Sequence, residues 1–172
     1  MYATLEGIIG YCGNMSDQRL FGRAAPAFAL PDQTGRQRTL KEFLGKWIVL
    51  YFYPKDDTPG CTVEACGFRD NYNAFKKTGV VVLGISVDPV KQHAKFAEKY
   101  ALPFTLLADE EKKVVERYGV WGKKKFMGRE FMGTHRVSFL INPLGQIVKM
   151  YDSVKPAGHA EAVLEDIRLF QQ

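Results

Sequence analysis

Residues 47–87 read WIVLYFYPKDDTPGCTVEACGFRDNYNAFKKTGVVVLGISV. Their two ends, 47–53 and 79–87, are short apolar runs rich in β-branched and aromatic residues, as strands buried on both faces of a sheet should be. Between them Phe68, Tyr72 and Phe75 fall at i, i+4 and i+7, one face of a helix, with Arg69, Asp70, Asn73 and Lys76 opposite. Strand, helix, strand is a βαβ crossover, which makes the two strands parallel. It also sets the helix N-terminus beside the carboxyl end of the first strand, where ligands of open α/β sheets bind.

Outward from this unit the pattern continues. Residues 90–100 predict a second helix, 104–107 a short strand, and 110–118 a third helix closed by Gly119 at C′. Two strands at 137–142 and 147–151 flank Pro143-Leu144-Gly145, a hairpin signal, and 160–170 is a last amphipathic helix. Upstream, 28–30 and 38–40 flank Asp32-Gln33-Thr34-Gly35 as another hairpin. The sum is an α/β domain on a mixed sheet.

With 172 residues, 46% hydrophobic and 25% charged, the chain has the balance of one globular domain, and no repeat or linker divides it. Its longest apolar run, 47–53, is far short of the roughly 20 residues of a membrane-spanning helix. The formal charge is +5, but the charges are scattered and only Lys123, Lys124 and Lys125 form a run. Scattered charge is ordinarily a solvated surface, so neither a nucleic-acid nor a membrane partner is expected. Three cysteines, an odd number, and an N-terminus unlike an export signal point to the cytoplasm. Residues 1–17 read as a flexible extension before a domain at 18–172. Met15 looks like a second translation start, so residues 1–14 and Cys12 are expected to be dispensable.

The chemistry concentrates where the first strand ends at Pro54 and the helix begins. Thr58 suits the N-cap and Pro59 the N1 position, which places Cys61 near N3. Unpaired backbone N–H groups and the positive end of the helix dipole then face its sulfur. They stabilise a thiolate and do nothing for a thiol. An ordinary thiol is only about 3% ionised at pH 7, and a helix end contributes ~0.3–2 kcal/mol, too little for majority ionisation. A second cation is therefore expected, and Arg136, at the start of the strand 137–142, is the candidate. The Pro-Gly pair before Cys61 is expected to leave the backbone open to a small ligand.

Cys66 follows five residues later. If both cysteines are helical, their Cα atoms lie about 8.7 Å apart, beyond the ~7 Å limit for a disulfide. A permanent bridge is thereby disfavoured, and a transient one would require the first turns of the helix to unwind, which Gly60 and Gly67 would ease. No Cys-x-x-Cys or His-x-x-x-His spacing supports a metal site, and no cofactor is expected. His93, His135 and His159 read as satisfied or surface histidines, with His135 able to tune a site at Arg136.

Pro54-x-x-x-Thr58-x-x-Cys61 resembles the active-site signature of the peroxiredoxins, and Cys61 followed by Cys66 resembles the peroxiredoxin Q subgroup, also called bacterioferritin comigratory protein. The likeness extends through VWGKKKFMGREFMGTHRVSFLIN and residues 154–164 and covers about residues 18–170. It implies a thioredoxin-like fold and a thiol-dependent peroxidase for hydrogen peroxide and organic hydroperoxides. In this resemblance Cys61 is the peroxidatic and Cys66 the resolving cysteine. Their intramolecular disulfide is recycled by thioredoxin or a similar dithiol protein, and the chain works as a monomer. Thr58, Arg136 and the backbone at Gly60 would hold the peroxide, and Pro54 would shield the thiolate. Asn142, Ser138 and the Cys12 extension depart from the pattern without touching this chemistry. A thiol-disulfide oxidoreductase acting on protein disulfides is the alternative, although that activity ordinarily uses Cys-x-x-Cys.

Overall fold

The computed structural model describes residues 19–172. Cys12 and the expected extension and start site lie outside them. The N-terminal hairpin is β1 (Ala29–Pro31) and β2 (Gln37–Thr39). Its turn is tied by Asp32, whose Oδ1 accepts from Thr34 N, Thr34 Oγ1 and Arg36 N. After a 3-10 turn come β3 (Trp47–Phe52), α1 (Pro59–Asp70), α2 (Tyr72–Lys77) and β4 (Val80–Ser86). Then follow α3 (Val90–Lys99), β5 (Thr105–Ala108) and α4 (Lys113–Arg117). The chain continues through β6 (Trp121–Phe126), β7 (Arg129–Thr134), β8 (Val137–Ile141), β9 (Ile147–Tyr151) and α5 (His159–Phe170).

Five strands form the central sheet in the order β5-β4-β3-β8-β9. β3 runs parallel to β4 and β4 to β5, as the crossover requires, while β8 and β9 are antiparallel additions. Alternation along β3 feeds two cores. Ile48, Leu50 and Phe52 pack with Tyr118 and Phe139 on one side; Val49 and Tyr51 pack with Phe68, Phe75 and Val163 on the other. On the second side Tyr51 stacks on Phe68 at 4.8 Å and on Tyr53 at 5.3 Å between centroids. Opposite Tyr51, β4 carries Gly84, where a Cβ would meet the Tyr51 ring at 2.8 Å. Only glycine lets the stack lie flat on the sheet.

Three expectations needed correction. The crossover helix is broken at Asn71, whose φ of −96° and ψ of 5° end α1; its Nδ2 donates to Gly67 O at 3.0 Å and Glu161 Oε1 at 3.1 Å. The third helix starts at Lys113 rather than 110, because Asp109 Oδ2 captures the N–H groups of Val114 and Val115 at 2.9 and 2.8 Å and holds the preceding residues in a turn. The hairpin β6–β7, a two-stranded sheet of its own, was not expected as structure at all.

Candidate active site

Thr58 is the N-cap of α1 in extended conformation and Pro59 is N1, so Cys61 occupies N3 as the sequence predicted. The first intrahelical bond runs from Thr62 N to Thr58 O at 2.8 Å, leaving the N–H groups of Gly60 and Cys61 without an intrahelical acceptor. The Thr58 hydroxyl does not cap the helix. It donates backward to Lys55 O at 2.8 Å, so its lone pairs remain to accept a hydrogen bond from a ligand.

Arg136 lies between β7 and β8, and the pairing of β8 with β3 carries it over the start of α1. Its Nη2 donates to Cys61 Sγ at 3.4 Å and its Nη1 to Glu64 Oε2. The expected second cation is therefore at the sulfur. The two carboxylates before the helix are engaged elsewhere: Asp57 takes Lys99 and the Tyr100 hydroxyl, and Asp56 takes His93. The ion pair is largely enclosed: the Glu64 side chain is fully buried and that of Arg136 18% exposed.

Gly60 has a further use beside the one expected. A Cβ there would meet Arg136 Nη2 at 3.0 Å, so the missing side chain makes room for the guanidinium as much as for a ligand. Cys61 is buried, and Cys66, half-buried, lies in the same helix; both are free thiols. The helical separation of about 8.7 Å therefore applies to the folded state. Pro54 sits half-buried two residues beyond β3.

Several residues of the site escaped the sequence reading. Burial pushes Glu64 up to about 7 even though Arg136 favours its carboxylate, and its Oε1 has no hydrogen-bond partner. That oxygen lies 4.0 Å from Nε2 of His159, which bonds Ser138 Oγ at 2.8 Å. Burial, with the Arg136 charge second, lowers His159 to about 4. His159 and His93 are both buried and hydrogen-bonded, the satisfied of the two alternatives expected for them. Ser138, set aside as a departure without consequence, belongs to the shell around Glu64. Lys124 of β6 donates to Thr134 O at 3.0 Å; burial first and Arg136 second depress its ammonium, while Cys61 opposes them. His135 packs on Gly122, its Nε2 3.0 Å from where a Cβ would stand. Among the described residues no His, Cys, Asp and Glu cluster could hold a metal ion. A cleft of about 770 Å³ between β1 and α4 is lined by none of the residues around Cys61.

On the far side of the helix start lies a second buried charge pair. Asp56 Oδ2 meets His93 Nδ1 at 2.6 Å, its Oδ1 accepts from Tyr53 Oη at 2.6 Å, and His93 Nε2 reaches Leu107 O at 3.0 Å. The amide of Asp56 donates to Asp88 Oδ2 at 2.9 Å. These bonds clamp the loop between Pro54 and Thr58 to α3, β5 and the turn that follows β4.

The arrangement can stabilise negative charge on a sulfur and on an atom bonded to it, with donors from one guanidinium and two backbone amides. The AhpC/TSA family model matches residues 21–150. Peroxiredoxin Bcp of Escherichia coli is 52% identical over 143 residues, which is 83% of this chain and 92% of that protein. Peroxiredoxin Bcp of Bacillus subtilis is 44% identical over 147 residues, 86% of this chain and 94% of that one. Among solved structures, the bacterioferritin comigratory protein of Xanthomonas campestris, studied for its alkyl peroxide reduction, superposes with a TM-score of 0.80 at 38% identity. That match covers 84% of this chain and 92% of the other. BcpB of Mycobacterium tuberculosis gives 0.78 at 36%, covering 88% and 98%. The cysteine-bearing helix start, the thioredoxin fold and these relatives converge: the chain belongs to the AhpC/TSA family, among the Bcp and peroxiredoxin Q peroxiredoxins, thiol-dependent peroxidases.

Proposed function

We propose that Cys61 is the peroxidatic cysteine and Cys66 the resolving cysteine of a thioredoxin-dependent peroxidase for hydrogen peroxide and organic hydroperoxides. The observation that carries this reading is Arg136 Nη2 at 3.4 Å from Cys61 Sγ at N3 of α1, with the free thiol of Cys66 in the same helix.

The Cys61 thiolate attacks the terminal peroxide oxygen; an S–O bond forms as the O–O bond breaks, and the leaving alkoxide or hydroxide takes a proton to depart as alcohol or water. Negative charge grows on the leaving oxygen, so the Gly60 and Cys61 amides and the guanidinium act where it develops. The Thr58 hydroxyl, its proton committed to Lys55, accepts from the peroxide O–H. Pro54 keeps water from the sulfur. Cys66 then attacks the sulfenic sulfur, water leaves, and a disulfide forms once the first turns of α1 open. An external dithiol, thioredoxin or a protein like it, reduces that disulfide by exchange. Resolution inside one chain needs no second subunit, so the working unit is a monomer, and the reducing dithiol places it in the cytoplasm.

The test is peroxide-dependent NADPH oxidation through thioredoxin and its reductase. C61S and C66S are both expected to abolish turnover, with C66S still consuming one equivalent of peroxide per chain. Full turnover by C66S would remove Cys66 from the cycle. A wild type that reduced protein disulfides but consumed no peroxide would favour the oxidoreductase alternative.

A further inference from the structure

The hairpin β6–β7 stands apart from the central sheet and is wetted on both faces. Its register puts Lys124, Phe126, Arg129 and Phe131 on one face and Lys123, Lys125, Glu130 and Met132 on the other. Apolar side chains are exposed on both: Phe126 is 68% accessible, and Phe131 and Met132 about half. At the tip Met127 is 87% accessible, and it and Gly128 both have positive φ, 48° and 78°. Two consecutive positive φ values mark a type I′ turn, which favours asparagine or glycine at the first place. A bulky apolar side chain stands there although neither the backbone nor burial favours it. The same fourteen residues hold four cations against one carboxylate, net +3 of the chain's +5. The hairpin folds this basic stretch back on itself behind an apolar point.

We propose that this hairpin is a docking element for the surface of an anionic phospholipid bilayer. Phe126 and Met127 enter the headgroup boundary, and Lys123, Lys125 and Arg129 meet the lipid phosphates. The charge complements that surface, and an apolar tip with basic residues behind it matches the depth profile of an interface. A protein partner would cover one face of a two-stranded ribbon, whereas a fluid boundary receives both at once. A convex tip also offers little of the ~800 Å² per partner that a stable protein interface buries. Insertion stops at the tip, because the unpaired strand edges further back cannot enter hydrocarbon. This binding is independent of the roles proposed for Cys61 and Cys66, and it departs from the expectation of no membrane partner.

The test is sedimentation of the full chain with vesicles of phosphatidylglycerol or of phosphatidylcholine. Wild type should pellet with the anionic vesicles and not the neutral ones, and less as salt rises. F126S/M127S should weaken that binding at least about tenfold, and K123Q/K125Q about tenfold with a shallower salt dependence. Wild type left in the supernatant, or F126S/M127S binding like wild type, would overturn the proposal. So would a wild-type dimer in sedimentation velocity that both variants dissolve, since the tip would then be covered by a second copy. Turnover of dissolved hydrogen peroxide, read on the same samples, should match in all three proteins and establishes that the variants fold. Its absence from wild type would break the peroxidase roles of the cysteines and leave bilayer binding standing.

Discussion

Two buried charge pairs bracket Cys61, and they are built to opposite ends. In the Asp56–His93 pair both side chains are fully enclosed, and each carboxylate oxygen and each ring nitrogen has a partner. Leu107 O can only accept, so Nε2 is the donor of that bond. In the Glu64–Arg136 pair one carboxylate oxygen is orphaned, the guanidinium is partly exposed, and its second nitrogen points at the sulfur. The satisfied pair fixes the loop before Cys61; the incompletely satisfied one keeps a charge beside its sulfur. A buried charge is tolerated for structure when every hydrogen bond is made, and is put to chemical use where one is withheld.

The contrast can be broken most severely at His93. H93A leaves Asp56 buried and unpaired, and urea unfolding should show a loss of about 3–5 kcal/mol. A loss below about 1 kcal/mol would mean that the loop is held elsewhere. Replacing the other cation should strike activity instead. R136M is expected to cut kcat/KM for hydrogen peroxide about 100- to 1000-fold, as removal of one aimed donor does. Its stability deficit should grow with pH, because below about 7 Glu64 takes up a proton and no longer needs a counter-charge.

Glu64 and His159 sharpen the comparison through stability against pH. Glu64 stands at about 7 when folded against 4.5 in the unfolded chain, so between these values the folded state binds the extra proton and stability falls as pH rises. His159 stands at about 4 against 6.5, so the unfolded chain binds the extra proton there and stability rises with pH. Each amounts to on the order of 3 kcal/mol across its window, and between pH 4.5 and 6.5 they offset one another. Thermal melts of E64Q should therefore show stability climbing with pH, and those of H159N stability falling. Parallel profiles for the two variants would refute the assignment. The smallest effect is expected at Tyr53: Y53F removes one donor from Asp56 and should cost about 1–2 kcal/mol by denaturant titration, with kcat/KM within a few-fold of wild type.

Legibility followed the range of the interactions. Local periodicity and capping are written in neighbouring residues, so β3, β4 and β9, the start of α1 at Thr58-Pro59 and the N3 place of Cys61 could all be read from the chain. The break at Asn71 and the late start of α4 turned on single side-chain hydrogen bonds that periodicity does not register. The hairpin β6–β7 was missed because Lys123, Lys124 and Lys125 carry no apolar alternation. Its available signal was the Met127-Gly128 pair between two equal segments.

The sequence by itself determined the crossover, the helix-start cysteine, the second cysteine one and a half turns on and the need for a second cation. Each follows from the covalent order of residues a few places apart. Only the tertiary structure decided which carboxylate holds that cation, since Glu64, Asp56 and Asp57 are equivalent until β8 lies beside β3 and α3 packs beneath the loop. It alone buried His93 and His159 and made Ser138 a partner of the site. Desolvation and charge proximity depend on distance in space, which the order of the chain does not carry.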